Sequence, residues 1–207
     1  TQLTKKKSLL EKYKKGIMQK IFNQELRFKD DDGNKFPEWE EKKLGDLLNY
    51  EQPTKYIVAS TEYDDSFKIP VLTAGKSFIL GYTDEVNDVY NKLPAIIFDD
   101  FTMANKYVDF HFKVKSSAMK ILQPKNKSVN MIFVYESIQM INYPKGNEHK
   151  RFWISEYSKI KIDYPCINEQ SKIANFLSDI DIKIEALQTK IEHTKTFKKG
   201  LLQQMFV

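Results

Sequence analysis

At 207 residues, with 41% hydrophobic and 13% aromatic content, the chain has material for one globular domain plus extended helices. No apolar run reaches membrane-span length and no signal peptide is visible; the single Cys166 excludes a disulfide framework and suits a reducing cytoplasm, and His111, His149 and His193 lack metal-ligand spacing. The net charge of +5 sits mostly in residues 1–23, with seven Lys against one Glu, whereas residues 24–168 hold 20 basic and 22 acidic side chains, so any basic surface in the middle is local.

Residues 3–23 read as a helix, with Leu3, Leu10 and Ile17 recurring in sevens and Tyr13 and Ile21 filling the same seam. Its lysines form a solvated face. The run Asp30-Asp31-Asp32-Gly33-Asn34, followed by Phe36-Pro37, ends the helix as a linker. Trp39, Leu44, Leu47 and Leu48 begin a core, with Leu44–Asn49 expected as a short helix. Strand signals then dominate. Ile69–Thr73 and Phe78–Thr83 flank a turn at Ala74-Gly75-Lys76-Ser77, and Ala95–Phe98 is a short buried strand running into Asp99-Asp100. Tyr107–Val114 alternates, which predicts Val108, Phe110, Phe112 and Val114 facing a core and Asp109, His111 and Lys113 facing away. Met119–Leu122 is a further strand, Val129–Tyr143 an amphipathic helix, and Ile160–Pro165 a closing strand.

After Pro165, apolar residues fall at Ile173, Leu177, Ile180, Ile184, Leu187 and Ile191, in steps of four and three, and no glycine or proline interrupts them before Gly200. A helix of roughly 40 residues would be about 60 Å long. A shift of 184 residues lays Lys14-Lys-Gly-Ile-Met-Gln-Lys-Ile-Phe22 onto Lys198-Lys-Gly-Leu-Leu-Gln-Gln-Met-Phe206. Chance likeness between Lys-rich amphipathic helices is the bland explanation. A repeat, of which residues 1–23 are the end of a preceding copy, is the sharper one. Residues 3–22 are the expected partner of the long helix but match only half its length. Ile173, Leu177, Ile180 and Ile184 are therefore expected to pack on the middle domain, a second copy or another subunit.

Catalytic signals are weak. Gly75-Lys76-Ser77 ends like a phosphate loop, but the required first glycine is Pro70, which lacks an N–H, and a strand instead of a helix follows. Asp99, Asp100 and Lys106 form a nuclease-like trio on paper and read better as solvated loop residues. No nucleophile context and no methyl-transfer motif is present.

The order of parts, a globular domain bracketed by two copies of a long-helix segment, resembles the specificity subunit of type I restriction-modification enzymes. The residues that carry this are Gly16-Ile-Met-Gln-Lys-Ile-Phe22, Leu26-Arg-Phe-Lys-Asp30 with Gly33, Phe36-Pro37-Glu-Trp39 and Leu44-Gly-Asp-Leu47. Ile97-Phe-Asp-Asp100, Lys106-Tyr-Val-Asp-Phe110, Tyr157-Ser-Lys-Ile-Lys-Ile162, and Pro165 with Glu169-Gln-Ser-Lys-Ile-Ala-Asn-Phe-Leu177 add to them. The resemblance implies an α+β fold: a mixed α/β target-recognition domain over 24–166, with 1–23 and 167–207 as spacer helices in an antiparallel coiled coil. It further implies a non-catalytic, cytoplasmic subunit that binds double-stranded DNA, reads one half of a bipartite target and docks modification subunits. A restriction subunit completes the assembly, and S-adenosylmethionine, ATP and magnesium belong to those partners, with no cofactor on this chain. A coiled-coil adaptor without DNA specificity is the alternative, and self-association through the helices is expected in either case.

Base reading requires donor and acceptor side chains in the groove, with phosphate contacts to fix register. Three polar loops supply candidates: Thr73, Lys76 and Ser77; Thr102, Asn105 and Lys106; and His149, Lys150 and Arg151 beside Asn147. Arg27 and Arg151 are the only arginines, which makes Arg151 the expected guanine reader of the middle domain.

Overall fold

Residues 2–73, 77–143 and 151–205 are described by the structure, a computed structural model, in which the chain divides into two compact units, 1–37 with 168–207, and 38–167. The first unit is built from α1 (Gln2–Phe22) and α5 (Ile167–Met205). Contacts join α1 and the segment after it to α5. Lys14 Nζ meets Asp181 Oδ2 at 2.7 Å, the Phe28 and Phe176 rings lie 5.6 Å apart, and Arg27 Nη2 meets Glu169 Oε2 at 2.8 Å. The earlier residue, Lys14, meets the later stretch of α5, and Arg27 and Phe28 meet its start, which is an antiparallel order.

Along α1 the covered positions are Leu3, Lys7, Leu10, Lys14, Ile17, Met18, Ile21 and Phe22. Tyr13, expected in the seam, is instead half exposed. Steps of three and of four from Leu10 satisfy the same periodicity; the pairing with Asp181 turns the Lys14 side inward. On α5, Ile173, Leu177, Ile180 and Ile191 are buried, and Ile184 and Leu187 half-buried. These contacts set Lys14, Arg27 and Phe28 beside 169–181 of α5, whereas residues 192–199 are exposed.

The linker is structured as well. Asp30 Oδ1 accepts the N–H groups of Asp32 (3.0 Å) and Asn34 (2.7 Å), with Gly33 at φ +84° closing the turn. The Asn34 backbone bond leads in holding the Asp30 carboxyl below its ordinary range.

Among the described residues the second unit contains three sheets. β1 (Glu40–Lys43) pairs antiparallel with β9 (Lys161–Tyr164). A four-stranded antiparallel sheet runs in the order β2 (Leu48–Glu51), β8 (Met119–Pro124), β5 (Ala95–Asp99), β6 (Asn105–Val108). A three-stranded sheet orders β4 (Ile79–Thr83), β3 (Ile69–Leu72) and β7 (Lys113–Val114), with β7 parallel to β3. Short helices α2 (Leu44–Leu47), α3 (Met131–Gln139) and α4 (Phe152–Ser155) complete it. The α+β class expected from the sequence is observed.

Every residue of β5 is buried, which requires cover on both faces of its sheet. On one face Ala95 and Ile97 join Leu72, Val108, Val114, Met119 and Ile121. On the other, Phe98 packs on Trp153 and Tyr157 at 5.6 and 4.9 Å.

Two local expectations change. The helix over Leu44–Asn49 stops at Leu47, because Leu48 onward pairs with β8. The alternating strand Tyr107–Val114 breaks, because its first part pairs with β5 and its last part with β3. That change of sheet resets the alternation, and Lys113 is buried against Glu85 Oε2 at 2.8 Å and the Asn87 carbonyl at 2.9 Å.

Candidate nucleic-acid interface

The strand ends of the second unit gather several polar turns at one place. Thr73 N–H donates to the Phe78 carbonyl (3.0 Å), closing the β3–β4 turn, and Lys115 N–H donates to the Leu72 carbonyl (2.8 Å), setting the β7–β8 turn beside it. Asp100 N–H then donates to the Ala118 carbonyl (3.2 Å), and Phe152 N–H to the Asp100 carbonyl (3.0 Å). These backbone bonds chain four places side by side: Thr73 with Phe78, 115–118, 99–105 and the start of α4 at Arg151. The short antiparallel and parallel pairings put the C-terminal ends of β3, β5 and β7 and the starts of β4, β6 and β8 on one edge.

Asp99 and Asp100 are not the solvated pair the sequence suggests; both are buried. Asp99 Oδ1 accepts from the N–H groups of Phe101 (2.8 Å) and Thr102 (2.7 Å), as a short acceptor does in a tight turn. Asp100 Oδ1 accepts from Trp153 N–H (2.9 Å), while Oδ2 lies 3.3 Å from Lys120 Nζ. Lys120 also donates to Gln52 Oε1 at 3.1 Å. The two carboxylates point inward and brace the edge, which leaves its outward side chains free of acidic neighbours within the turn itself.

Among the candidate residues, Ser77, Thr102, Lys106 and Arg151 are exposed and Thr73 is half-buried. Lys106 and Arg151 make no ion pair among the described residues. Lys106 and Asn105 project from opposite faces of β6, as neighbours on a strand must. Asn105 is engaged structurally: its Nδ2 donates to the Met103 carbonyl at 3.1 Å and its Oδ1 accepts from Gln139 Nε2 at 2.5 Å. Both ends of the Asn105 amide are thus hydrogen-bonded within the protein. Lys76, Asn147, His149 and Lys150 lie outside the described residues.

The sequence reading missed Lys115, Ser116 and Ser117. Ser116 and Ser117 are exposed, and Lys115 is half-buried over the Tyr63 ring at 5.8 Å. A short polar run between two strands was the available signal. It also missed Phe101, an aromatic 51% exposed at the tip of the β5–β6 turn.

A family model for the type I restriction modification DNA specificity domain matches residues 37–195. The specificity subunit of the type I restriction enzyme EcoR124I/EcoR124II from Escherichia coli is 49% identical over 142 residues, covering 66% of this chain and 35% of that protein. The MjaVIII specificity subunit of Methanocaldococcus jannaschii is 27% identical over 203 residues, covering 92% and 47%. Among solved structures, the S subunit of a type I restriction-modification system from M. genitalium superposes with TM-score 0.70 at 16% identity, over 97% of this chain and 55% of that one. The HsdS subunit from Thermoanaerobacter tengcongensis gives 0.52 at 14% identity, over 91% and 48%. These two likenesses carry the fold. The chain spans between about a third and a half of the length of the curated relatives it matches. With the family's domain matched across most of its residues, the chain belongs to the type I restriction-modification DNA specificity domain family.

Proposed function

We propose that this chain is a non-catalytic recognition module that reads one half of a bipartite duplex target and docks the modification subunits of a type I complex. The observation that carries the reading is the edge of chained strand ends, whose two carboxylates are buried while Lys106 and Arg151 make no ion pair among the described residues. Cations without local counter-charge suit phosphate contacts, and the hydroxyls of Thr73, Ser77, Thr102, Ser116 and Ser117 suit groove edges. In this reading Arg151 reads guanine through its paired donors. Lys76, His149 and Lys150 belong to the same loops by sequence. In this reading S-adenosylmethionine, ATP and magnesium are held by the partner subunits, a restriction subunit joins through the complex, and the assembly works in the cytoplasm. No described helix is long and apolar enough to cross a membrane.

Selection from a random duplex library, run with and without modification subunits, tests this. Enrichment of a short half-site is expected; no enrichment even in the assembled complex refutes it. The helices serve as spacer and docking post, and we extend the proposal to self-association through them. Leu9, Tyr13, Ile182, Phe197, Leu201 and Leu202 are all exposed, more apolar surface than one helical pair needs to show water. Sedimentation of the isolated chain should show dimer forming across micromolar concentrations, and a monomer throughout would contradict the extension.

A further inference from the structure

We propose that Phe101 is an apolar wedge that enters the base stack at one step of the half-site; this rests on the DNA-reading function above. Phe101 is 51% exposed and makes no ring contact among the described residues. An aromatic in water is common on loose loops, but this turn is braced. The buried carboxylate of Asp99 accepts the N–H of Phe101 itself and that of Thr102, at 2.8 and 2.7 Å. Asp99 N–H donates to the Ala104 carbonyl (2.8 Å) and Met103 N–H to the Asp99 carbonyl (3.0 Å). Met103 is held at φ +62°, a left-handed conformation that a long unbranched side chain rarely adopts. Asn105 clasps the Met103 carbonyl from one side and Gln139 from the other. The backbone under Phe101 is thus fixed, with the ring half in solvent.

The neighbours of Phe101 identify what it meets. Thr102 and Lys106 lie on the same turn and strand, and the Asp100 carbonyl ties Arg151 and Phe152 alongside. An apolar protein partner would have to desolvate these cations, whereas a duplex uses them on phosphate while the ring leaves water between bases. Apolar side chains inserted in this way unstack and kink DNA, most readily at flexible pyrimidine–purine steps. Phe101 would therefore contribute specificity through deformability, at a step that no donor or acceptor of the chain needs to touch.

The test uses the chain assembled with its modification subunits. Wild type, Phe101→Ala and Phe101→Leu are each selected against a random duplex library, then measured on the enriched duplex carrying 2-aminopurine at each step. Phe101→Ala should weaken binding by about 5- to 150-fold, the range for losing one base–aromatic contact, and relax preference at one dinucleotide step. Its salt slope should stay that of wild type, because no phosphate contact is removed. Phe101→Leu should retain part of both effects. Wild-type binding should raise 2-aminopurine fluorescence at that step, and Phe101→Ala should abolish the rise. An unchanged half-site and affinity in Phe101→Ala overturns the wedge, as does an unstacking signal that persists without the ring. A wild-type complex that enriches nothing defeats the DNA-reading function itself and the wedge with it. Equal melting temperatures of the three proteins exclude misfolding, which an exposed position makes the expected result.

Discussion

The pair Asp100–Lys120 offers the sharpest test of how the recognition edge is held. Both side chains are almost fully buried, at 2% and 3% exposure, with 3.3 Å between Oδ2 and Nζ. Asp100→Asn keeps an acceptor for Trp153 N–H and removes only the charge, leaving the Lys120 ammonium buried beside Gln52 Oε1 at 3.1 Å. Stranding one member of a buried ion pair costs about 3–5 kcal/mol. At about 2–4 °C per kcal/mol for a chain of this size, the melting temperature should fall by about 6–20 °C. Lys120→Met alone should cost a similar amount, since it strands the carboxylate. The double variant should lose clearly less than the sum of the two single effects, because neither charge is then left buried without the other. Thermal and urea unfolding of the four proteins close the cycle. If the two single effects add within about 0.5 kcal/mol, the charges are not coupled and the bracing role assigned to Asp100 is wrong.

Arg27→Ala should destabilise the helical unit by about 3–5 kcal/mol, because Glu169 is fully buried and accepts from Arg27 Nε (3.0 Å) and Nη2 (2.8 Å); circular dichroism at 222 nm follows the loss. Arg27→Lys should recover only part of it, as an ammonium cannot reproduce the two-pronged contact or also reach the Pro37 carbonyl. Burial pushes the Glu85 carboxyl up, but bonds from Lys113 and the N–H groups of Ser60 and Ala59 outweigh it and hold the group below its usual 4.5. A depressed carboxyl stabilises the fold above its unfolded value and loses that contribution as pH falls through the folded one. Acid unfolding should therefore steepen below about pH 4.5, and Glu85→Gln should flatten that limb in urea titrations at stepped pH. On the enriched duplex, Lys106→Ala and Arg151→Ala should each lower the salt slope by about 0.9 per phosphate contact removed. Arg151→Ala should also relax one base position if it reads guanine, and unchanged slope and half-site in both variants would place the interface elsewhere.

Much of the fold was legible from periodicity. The buried runs Ile69–Leu72 and Ala95–Asp99, the strand Met119–Pro124 and the helix Met131–Gln139 stand where apolar spacing put them. Lys113 was misplaced because alternation is a rule about one sheet, and the chain leaves one sheet for another between Val108 and Lys113. Asp99 and Asp100 were misread because two adjacent acids after a strand look the same whether they face water or cap backbone N–H groups. Phe101 passed unnoticed for a related reason: an isolated aromatic gives no pattern, and only its exposure on a braced turn gives it meaning.

Residue order alone determined the two long helices, their three-and-four seam and the α+β character of the middle, since these follow from side-chain periodicity along one segment. It also carried the family resemblance. The repeat, however, matched α1 to the far half of α5 as a copy, whereas antiparallel packing set its end beside the near half, from Glu169 to Asp181. Likeness and contact are different relations, and only the second depends on direction in space. The same holds for the recognition edge. Residues 73, 100, 115 and 152 are brought together by backbone hydrogen bonds between distant segments, and no local pattern encodes which strand ends will meet.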